Sequence, residues 1–236
     1  MEKVGKFFLG IIDSFYNTLI YDNRYKYILE GLFNTIIIAL FAVVIGIIIG
    51  TIVALIRDNH DKNGKLVVLN SLAKAYVNII RGTPVILQLM IIYYVIFKSV
   101  NINIVIVSIL AFGINSGAYV SEIIRAGINS ISVGQTEAGY ALGFKYGEVM
   151  RLIVLPQAIK NILPALGNEF VTLIKETSVG AYIGVVELTK ASDIIASRTY
   201  DYFFPLIIIA VIYLILTVGL SKLMSRLERK LNNVRS

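Results

Sequence analysis

Four polar side chains interrupt stretches of this sequence that are otherwise largely apolar: Asn115, Asn168, Glu169 and Thr172. Asn168 and Thr172 are four residues apart, so a helix would place them on the same face. Amide and hydroxyl groups donate and accept hydrogen bonds, and a carboxylate can also balance a positive charge. Inside hydrocarbon such groups are costly unless they face protein or water. These residues therefore form a candidate polar site within a membrane.

The sequence lacks the residues on which most catalytic and metal-binding chemistry depends. It contains no cysteine and a single histidine, His60, which excludes disulfides, thiolate metal sites and histidine-based catalytic pairs. His60 lies in the polar segment RDNHDKNGK, and we interpret it as a solvated loop residue. No Gly-rich phosphate loop of the Walker type is present. We therefore predict that this chain has no catalytic residues, no metal site and no cofactor of its own.

Membrane-spanning helices are the elements that would position the polar residues. Of the 236 residues, 57% are hydrophobic and 16% are charged, a composition that soluble domains rarely have. A helix needs about 20 apolar residues to cross the hydrocarbon core of a bilayer. Three uncharged stretches meet that length: residues 31–56, 99–121 and 202–221.

Two further spans are predicted from apolar stretches that contain charges. Residues 82–97 continue an apolar run, so that one longer helix would carry Lys74 and Arg81 near the polar boundary. Pro84 would break this helix near the membrane surface, and Pro164 would break the fourth span in the same way. Residues 152–186 form the other span, although Lys160, Glu169, Lys175 and Glu176 interrupt it. We therefore predict an all-α polytopic membrane protein with five transmembrane helices.

The basic residues near the ends of these spans predict the orientation of the chain. The C-terminal residues 227–236 are rich in lysine and arginine, which places this tail in the cytoplasm and the N-terminus outside. The formal net charge of +7 is explained by this orientation rather than by nucleic-acid binding, because no basic helix with interleaved aromatic residues is present.

The remaining boundaries follow from local patterns. Apolar residues at helical spacing near the N-terminus predict that residues 1–26 form an amphipathic helix that lies in the membrane interface; these are Val4, Phe7, Phe8, Ile11, Ile12, Phe15 and Leu19. Residues 27–226 would then form the transmembrane domain. Two small-residue pairs, GIIIG at Gly46 and Gly50 and GINSG at Gly113 and Gly117, predict close helix packing.

Between the third and fourth spans lies a cytoplasmic segment that is longer than a simple turn requires, residues 128–151. Its sequence predicts a helix that begins at Ser132 or Thr136 and a turn at Gly143. A second helix would follow, with Glu148 in its first turn, and enter the membrane where Pro156 kinks it or limits its start. A soluble partner could bind such a segment.

The spacing of residues in and after this segment resembles the membrane subunits of ATP-binding-cassette (ABC) importers. That family carries Glu-Ala-Ala, three residues, Gly, nine residues, Ile, one residue and Leu-Pro. The matching residues here are Glu137, Ala138, Gly143, Ile153, Leu155 and Pro156. Gly139 replaces the second alanine, which we expect to loosen a short helix by up to about 1 kcal/mol.

Longer stretches resemble the polar-amino-acid branch of the same family. They are RGTPVILQLMIIYY, INSGAYVSEIIRAGI, LPQAIKNILPALGNEFVTLIKETS and IGVVELT. The resemblance implies a multi-pass permease of a prokaryotic cytoplasmic membrane that dimerises, either with itself or with a paralogue. It further implies two cytoplasmic ABC ATPase subunits that bind ATP and Mg, and an extracytoplasmic solute-binding protein.

The resemblance also implies roles for the candidate residues. The helix around Glu137 would be the coupling helix, within a coupling loop of residues 128–151; alternatively, Glu137 merely caps a solvated helix. Asn115, Asn168, Glu169 and Thr172 would line the path of a polar amino acid, although Glu169 could equally pair with a neighbouring helix. The alternative function is a secondary transporter or channel that works without ATP, for which no internal inverted repeat is found.

Overall fold

The computed structural model of the protein describes the backbone of residues 2–233, and the side chains of Gly10 and of residues 12–230. All the regular elements in this described part are helices. The α-helices are α1 (Glu2–Leu19), α2 (Tyr25–Asn63), α3 (Val67–Gly82), α4 (Val85–Ile91), α5 (Ile104–Asn129), α6 (Val133–Ala141), α7 (Tyr146–Val149), α8 (Leu155–Glu176), α9 (Leu188–Thr199) and α10 (Phe203–Asn233). Short 3-10 helices cover Tyr21–Asn23 and Thr177–Ile183. Two wider π-helical turns, Ile92–Ile96 and Met150–Val154, extend α4 and join α7 to α8.

The membrane spans agree with the predicted all-helical fold. Four helical stretches among the described residues are long and apolar enough to cross a bilayer: Tyr21–Asn63, Ile104–Asn129, Tyr146–Ile183 and Phe203–Lys230. A fifth span results if α3 and the helix that follows it, Val85–Ile96, are counted as one broken element.

The break in this element lies at Pro84, as the sequence predicts. α3 and the Val85–Ile96 helix are bent by 109° relative to each other. Thr83 adopts an extended conformation between them, as expected of a residue that precedes a proline. Pro84 then begins the next helix, where its missing N–H group removes no helical hydrogen bond. The predicted break at Pro84 is therefore confirmed, and Lys74 and Arg81 both lie on α3. The predicted break at Pro164 is wrong, because Pro164 lies inside α8.

Several helix ends also lie away from their predicted positions. α5 begins at Ile104 rather than near residue 99, because the Asn103 side chain accepts a hydrogen bond from the backbone N–H of Val105 at 2.8 Å. α2 continues to Asn63, so His60 lies in its last turn and not in a loop. The basic tail predicted from residue 227 is the end of α10 as far as Asn233, and residues 234–236 lie outside the described chain.

Close packing of α2 against α5 forms the centre of the fold. The two helices are parallel, since Gly46 lies against Ser116 and Gly50 against Val120. A Cβ atom added at Gly50 would lie 2.6 Å from Val120 Cγ1 and 2.9 Å from the carbonyl oxygen of Gly117. Gly113 of α5 in turn accommodates Ile45 of α2. The small-residue pairs therefore pack one against the other, which confirms their predicted role in helix packing.

The N-terminal helix is confirmed as far as the structure describes it. α1 covers Glu2–Leu19, and the side chains of Ile12 and Phe15 are exposed. Leu19 packs against the apolar cluster around Ile28 and Leu188. The predicted apolar residues Val4, Phe7, Phe8 and Ile11 lie outside the described side chains, and the interfacial position of α1 remains a prediction.

The α2–α5 contact generates a stability prediction. Gly50→Ala should lower the free energy of unfolding by about 1–3 kcal/mol, because the added methyl group overpacks the contact. In a chain of this size that corresponds to a fall in the thermal midpoint of about 2–12 °C, measured on purified protein in detergent. Gly219→Ala in α10 is the matched control, because among the described residues no atom outside its own helix backbone lies within 4 Å of the added Cβ. Equal midpoints for the two variants would contradict the prediction.

Candidate functional site

Residues 128–151, the predicted coupling loop, contain the helix, glycine turn and second helix that the sequence predicts. α6 begins after Ser132, which occupies the N-cap position without a side-chain hydrogen bond to the helix. Gly143 has a φ of 87°, a left-handed conformation that favours glycine. α7 begins shortly afterwards, and its Glu148 carboxylate accepts a hydrogen bond from the backbone N–H of Lys145 at 2.8 Å. The helix, glycine turn and second helix are thus confirmed.

Gly139, the residue that departs from the family pattern, lies where α6 packs on the following helix. It is buried, and a Cβ atom there would lie 2.7 Å from Ile153 Cδ1 and 3.0 Å from Val149 Cγ2. The glycine therefore allows α6 to approach this helix more closely than alanine would. The expectation that glycine loosens α6 did not include this packing contact. Ile153 takes part in the contact, because its side chain packs against α6 at Gly139.

The opposite face of α6 is open. Val133, Glu137 and Tyr140 follow one another at helical spacing, and all three are exposed. Ala138 is also exposed, and Leu142 at the end of the helix is 75% exposed. No hydrogen bond or ion pair among the described side chains includes Glu137, so the interpretation that it caps a helix finds no support. The result is an apolar surface with one unpaired carboxylate.

The last two residues of the family pattern lie past this surface. The helix that starts at Tyr146 continues through the wide turn Met150–Val154 into α8 without a break. Leu155 is half-buried and Pro156 is exposed in the first turn of α8. Because the wide turn precedes it, Pro156 does not mark the start of the helix, contrary to one of the predicted alternatives. Pro156 has no N–H group to donate to the preceding turn, and the wide turn lies where that helical hydrogen bond is missing.

Asn115 forms its side-chain hydrogen bond with Gln88 and not with the other predicted polar residues. It is buried, and its amide donates to Gln88 Oε1 at 2.9 Å. Gln88 in turn donates to the carbonyl oxygen of Ile80 and to Thr83 Oγ1, both at 2.7 Å. Gln88, held by Asn115, therefore donates hydrogen bonds to backbone carbonyl groups at the bend between α3 and α4. Gln88 was not among the predicted residues, although its position just after the Pro84 break was a possible signal.

Asn168, Glu169 and Thr172 lie together on α8. Asn168 is exposed, and Thr172 is half-buried. Glu169 is half-buried at the edge of this face, where its carboxylate accepts a hydrogen bond from Ser116 Oγ of α5 at 2.8 Å. The structure thus brings three of the four predicted residues to one helix face, and it connects the carboxylate to the α2–α5 pair.

A basic groove beside this face was not predicted. It has a volume of about 530 Å³ and lies between α8 and α10. Its polar lining consists of Lys175, Lys222, Arg226 and Arg229, together with Thr217, Ser221 and Ser225. The spacing of the three α10 cations, at positions 222, 226 and 229, is a helical pattern that could have revealed the groove.

Glu187, in the linker between residue 183 and α9, was also missed. It is fully buried, and its carboxylate accepts hydrogen bonds from the backbone N–H groups of Thr189 and Lys190, both at 2.7 Å. Tyr213 of α10 donates a third hydrogen bond at 3.1 Å. Burial raises the pKa of Glu187 to about 7 despite these donors. Glu187 therefore joins α9 to α10, and its place directly before a helix was the available signal.

Comparison with protein families gives one match that covers most of the chain. Residues 46–233 match the family described as "Binding-protein-dependent transport system inner membrane component". The chain is 40% identical to the "Putative glutamine transport system permease protein GlnP" of Rickettsia prowazekii (strain Madrid E), over 89% of this chain and 95% of the relative. It is also 40% identical to the "Arginine transport system permease protein ArtQ" of Bacillus subtilis (strain 168), over 88% of this chain and 93% of the relative.

Solved structures show the same fold. A chain from the crystal structure of an amino acid ABC transporter with histidines is 42% identical, with a TM-score of 0.81 over 87% of this chain and 94% of that chain. A chain of the inward-facing MetNI methionine ABC transporter superposes with a TM-score of 0.73 at 20% identity, over 88% of this chain and 97% of that one. The second likeness shows the fold alone.

The buried carboxylate of Glu187 predicts a pH dependence of stability. Its folded pKa lies above the ordinary value of 4.5, so between these values the folded state holds a proton that the unfolded state releases. Stability should therefore fall as the pH rises from about 5 to about 8. Glu187→Gln cannot ionise, and its thermal midpoint in detergent should fall less over this range. Parallel curves for the two proteins would show that Glu187 does not titrate in this way.

Proposed function

The chain belongs to the family of binding-protein-dependent transport system inner membrane components and is a permease subunit of an amino acid ABC importer, and we propose that it moves a polar amino acid by alternating access under the control of a partner ATPase. The observation that carries this mechanism is the exposed face of α6, where apolar side chains lie beside the carboxylate of Glu137. Such a face is suited to docking on a soluble partner.

We propose three kinds of protein partner for the chain. Two cytoplasmic ABC ATPase subunits would bind ATP and Mg, since this chain would supply no cofactor site or catalytic residue. A solute-binding protein would deliver the amino acid from outside, and a second permease, identical or paralogous, would complete the path. The whole would lie in the cytoplasmic membrane of a prokaryote, with the N-terminus outside and the C-terminus inside.

The coupling helix is α6. Val133, Tyr140 and Leu142 would enter an apolar cleft of the ATPase, and Glu137 would meet a basic or amide group there. Gly143 allows the chain to turn sharply behind the helix. Because Gly139 seats α6 against Val149 and Ile153, movement of α6 would displace the helix that leads into α8. Leu155 and Pro156 lie at the point where that helix continues into the span.

The substrate path runs along the open face of α8. Asn168 and Thr172 offer hydrogen bonds there, and Glu169 offers a negative charge close to them. Polar and charged side chains at membrane depth require protein or water as neighbours, so this face would line an aqueous path or meet the second permease. Asn115 would act indirectly, by fixing the bend between α3 and α4 through Gln88.

Two charge signs along the path suit a zwitterionic substrate. Glu169 would attract an α-amino group or a cationic side chain, and the basic groove beside α8 would attract a carboxylate. This arrangement supports a polar amino acid as the class of substrate. It agrees with the names of the relatives, which specify glutamine for one permease and arginine for the other.

Charge reversal at the coupling helix tests the role of Glu137. Glu137→Lys should abolish association with the ATPase, because a like charge would meet the basic or amide group of the cleft. Co-purification of the ATPase with the membrane-inserted permease measures this. Glu228→Lys, which reverses an exposed carboxylate on α10, should leave association unchanged. An assembled, transporting Glu137→Lys complex would contradict the coupling role, and uptake that needs a proton or sodium gradient but no ATP would indicate a secondary transporter.

Removal of one charge tests the path. Glu169→Gln should lower the initial rate of amino acid uptake about 10- to 100-fold, the range expected from the loss of a hydrogen bond to a charged group. The ATPase should still co-purify, because Glu169 lies far along α8 from α6. Uptake into proteoliposomes is the measurement, and Glu30→Gln, an exposed carboxylate of α2, is the control. If both variants transport at the wild-type rate, Glu169 has only a structural role.

A further inference from the structure

The last two turns of α2 carry the sequence RDNHDK, in which charges fall into two neighbouring rows at helical spacing. One row, Arg57 and Asp61, faces α5. Arg57 forms an ion pair with Glu122, and Arg125 donates to Asp61 Oδ2 at 2.7 Å. These contacts continue the glycine-mediated packing of α2 and α5 beyond the apolar region. The two helices are thereby joined along most of their length.

The other row, Asp58 and Lys62, faces the coupling loop. Tyr146, the first residue of α7, donates a hydrogen bond from its hydroxyl to Asp58 Oδ2 at 2.6 Å. Lys62 Nζ lies 2.9 Å from Asp58 Oδ1. The same ammonium group lies 3.8 Å from the sulfur of Met150 and 5.9 Å from the centre of the Tyr146 ring. Both carboxylate oxygens of Asp58 therefore have a partner.

Burial makes this arrangement sensitive to displacement. Asp58 is only 4% exposed, so withdrawal of Tyr146 would leave one oxygen of a buried carboxylate without its donor. An unsatisfied buried charge is strongly unfavourable. The Tyr146 hydroxyl and Asp58 are therefore held together, and a shift of one should move the other.

Tyr146 lies at the start of α7, shortly after α6, so its contact with Asp58 joins this segment to α2. Tyr146 follows Gly143 by three residues, and among the described residues its hydroxyl makes the first side-chain hydrogen bond to α2 after α6 along the chain. On the other side, Asp58 belongs to the helix that is packed and ion-paired with α5. The Ser116–Glu169 hydrogen bond extends that pair to the polar face of α8.

We propose that the Asp58–Tyr146 hydrogen bond, supported by Lys62, transmits the displacement of the coupling loop to the α2–α5 pair. This inference rests on the proposed function of α6. Tyr146 and Asp58 are positioning residues, which touch neither substrate nor ATP. Without their contact α6 still docks on the ATPase and hydrolysis still proceeds, but less of the movement reaches the spans. The contact therefore determines how much amino acid is transported for each ATP hydrolysed.

The test uses the whole complex of permease, ATPase and solute-binding protein in proteoliposomes, with ATP hydrolysis and amino acid uptake measured together. Tyr146→Phe removes one hydroxyl and keeps the ring that Lys62 contacts. We expect ATP hydrolysis within twofold of wild type and a decrease of at least fivefold in uptake per ATP. Tyr119→Phe is the matched control: its ring also lies beside a cation, Arg81 at 5.5 Å, but its hydroxyl has no hydrogen bond among the described residues. The amount of amino acid taken up per ATP hydrolysed should be the same for Tyr119→Phe as for wild type.

A second variant separates transmission from stability. Asp58→Asn keeps an acceptor for Tyr146 and loses the ion pair with Lys62, so its ratio should fall less than that of Tyr146→Phe. The double variant should have the ratio of Tyr146→Phe alone, because both changes act on one contact. If Tyr146→Phe does not assemble, the ratio for Asp58→Asn decides in its place.

The outcomes distinguish this inference from the proposed function. A ratio within twofold of wild type for Tyr146→Phe, or losses that add in the double variant, would overturn transmission through this contact while leaving the coupling role of α6 intact. If the wild-type permease neither binds the ATPase nor requires ATP for uptake, the proposed function fails first, and the inference fails with it.

Discussion

The close approach of α2 and α5 is the contact on which the rest of the structure depends. Four glycines allow the two backbones to meet, and their side-chain neighbours, such as Val120 against Gly50, leave no room for a Cβ atom. Between membrane helices the lipid offers the same apolar surroundings as leucine, so tight van der Waals packing rather than burial from water holds such a pair. The other spans then arrange themselves around this pair.

The low polarity of the membrane divides the polar side chains of this chain into two groups. Asn115 and Glu169 have partners within the chain, on Gln88 and Ser116 respectively. Asn168 and Lys175 are exposed within the candidate span Tyr146–Ile183. Since an unpartnered polar group in hydrocarbon is unfavourable, the first group stabilises the helix arrangement. In the proposed function, the second group faces water, substrate or a second subunit.

In the proposed coupling loop, one side of α6 packs against the rest of the chain and the other side is exposed. On its inner side α6 rests on Val149 and Ile153, with Gly139 at the contact. On its outer side the same short helix exposes apolar residues that a protein without a partner would bury. Near the start of the next helix, the Tyr146 hydroxyl meets the buried carboxylate of Asp58. A helix that packs on the chain with one face and exposes the other could bind a partner and transmit the partner's movement to the helix that leads into α8.

The sequence by itself determined the helical membrane class, the spans and the helix, glycine turn and helix of the coupling loop. These depend on local properties: the length of an apolar run, a glycine that can adopt a positive φ, a proline that lacks an N–H group. The break at Pro84 could also be predicted, but only the tertiary structure decided its angle of 109°. The same holds for the pairing of Asn115 with Gln88, Glu169 with Ser116 and Asp58 with Tyr146. The residues of each pair are distant in sequence, and whether they meet depends on how far each helix is rotated and shifted against its neighbours, which no local pattern specifies.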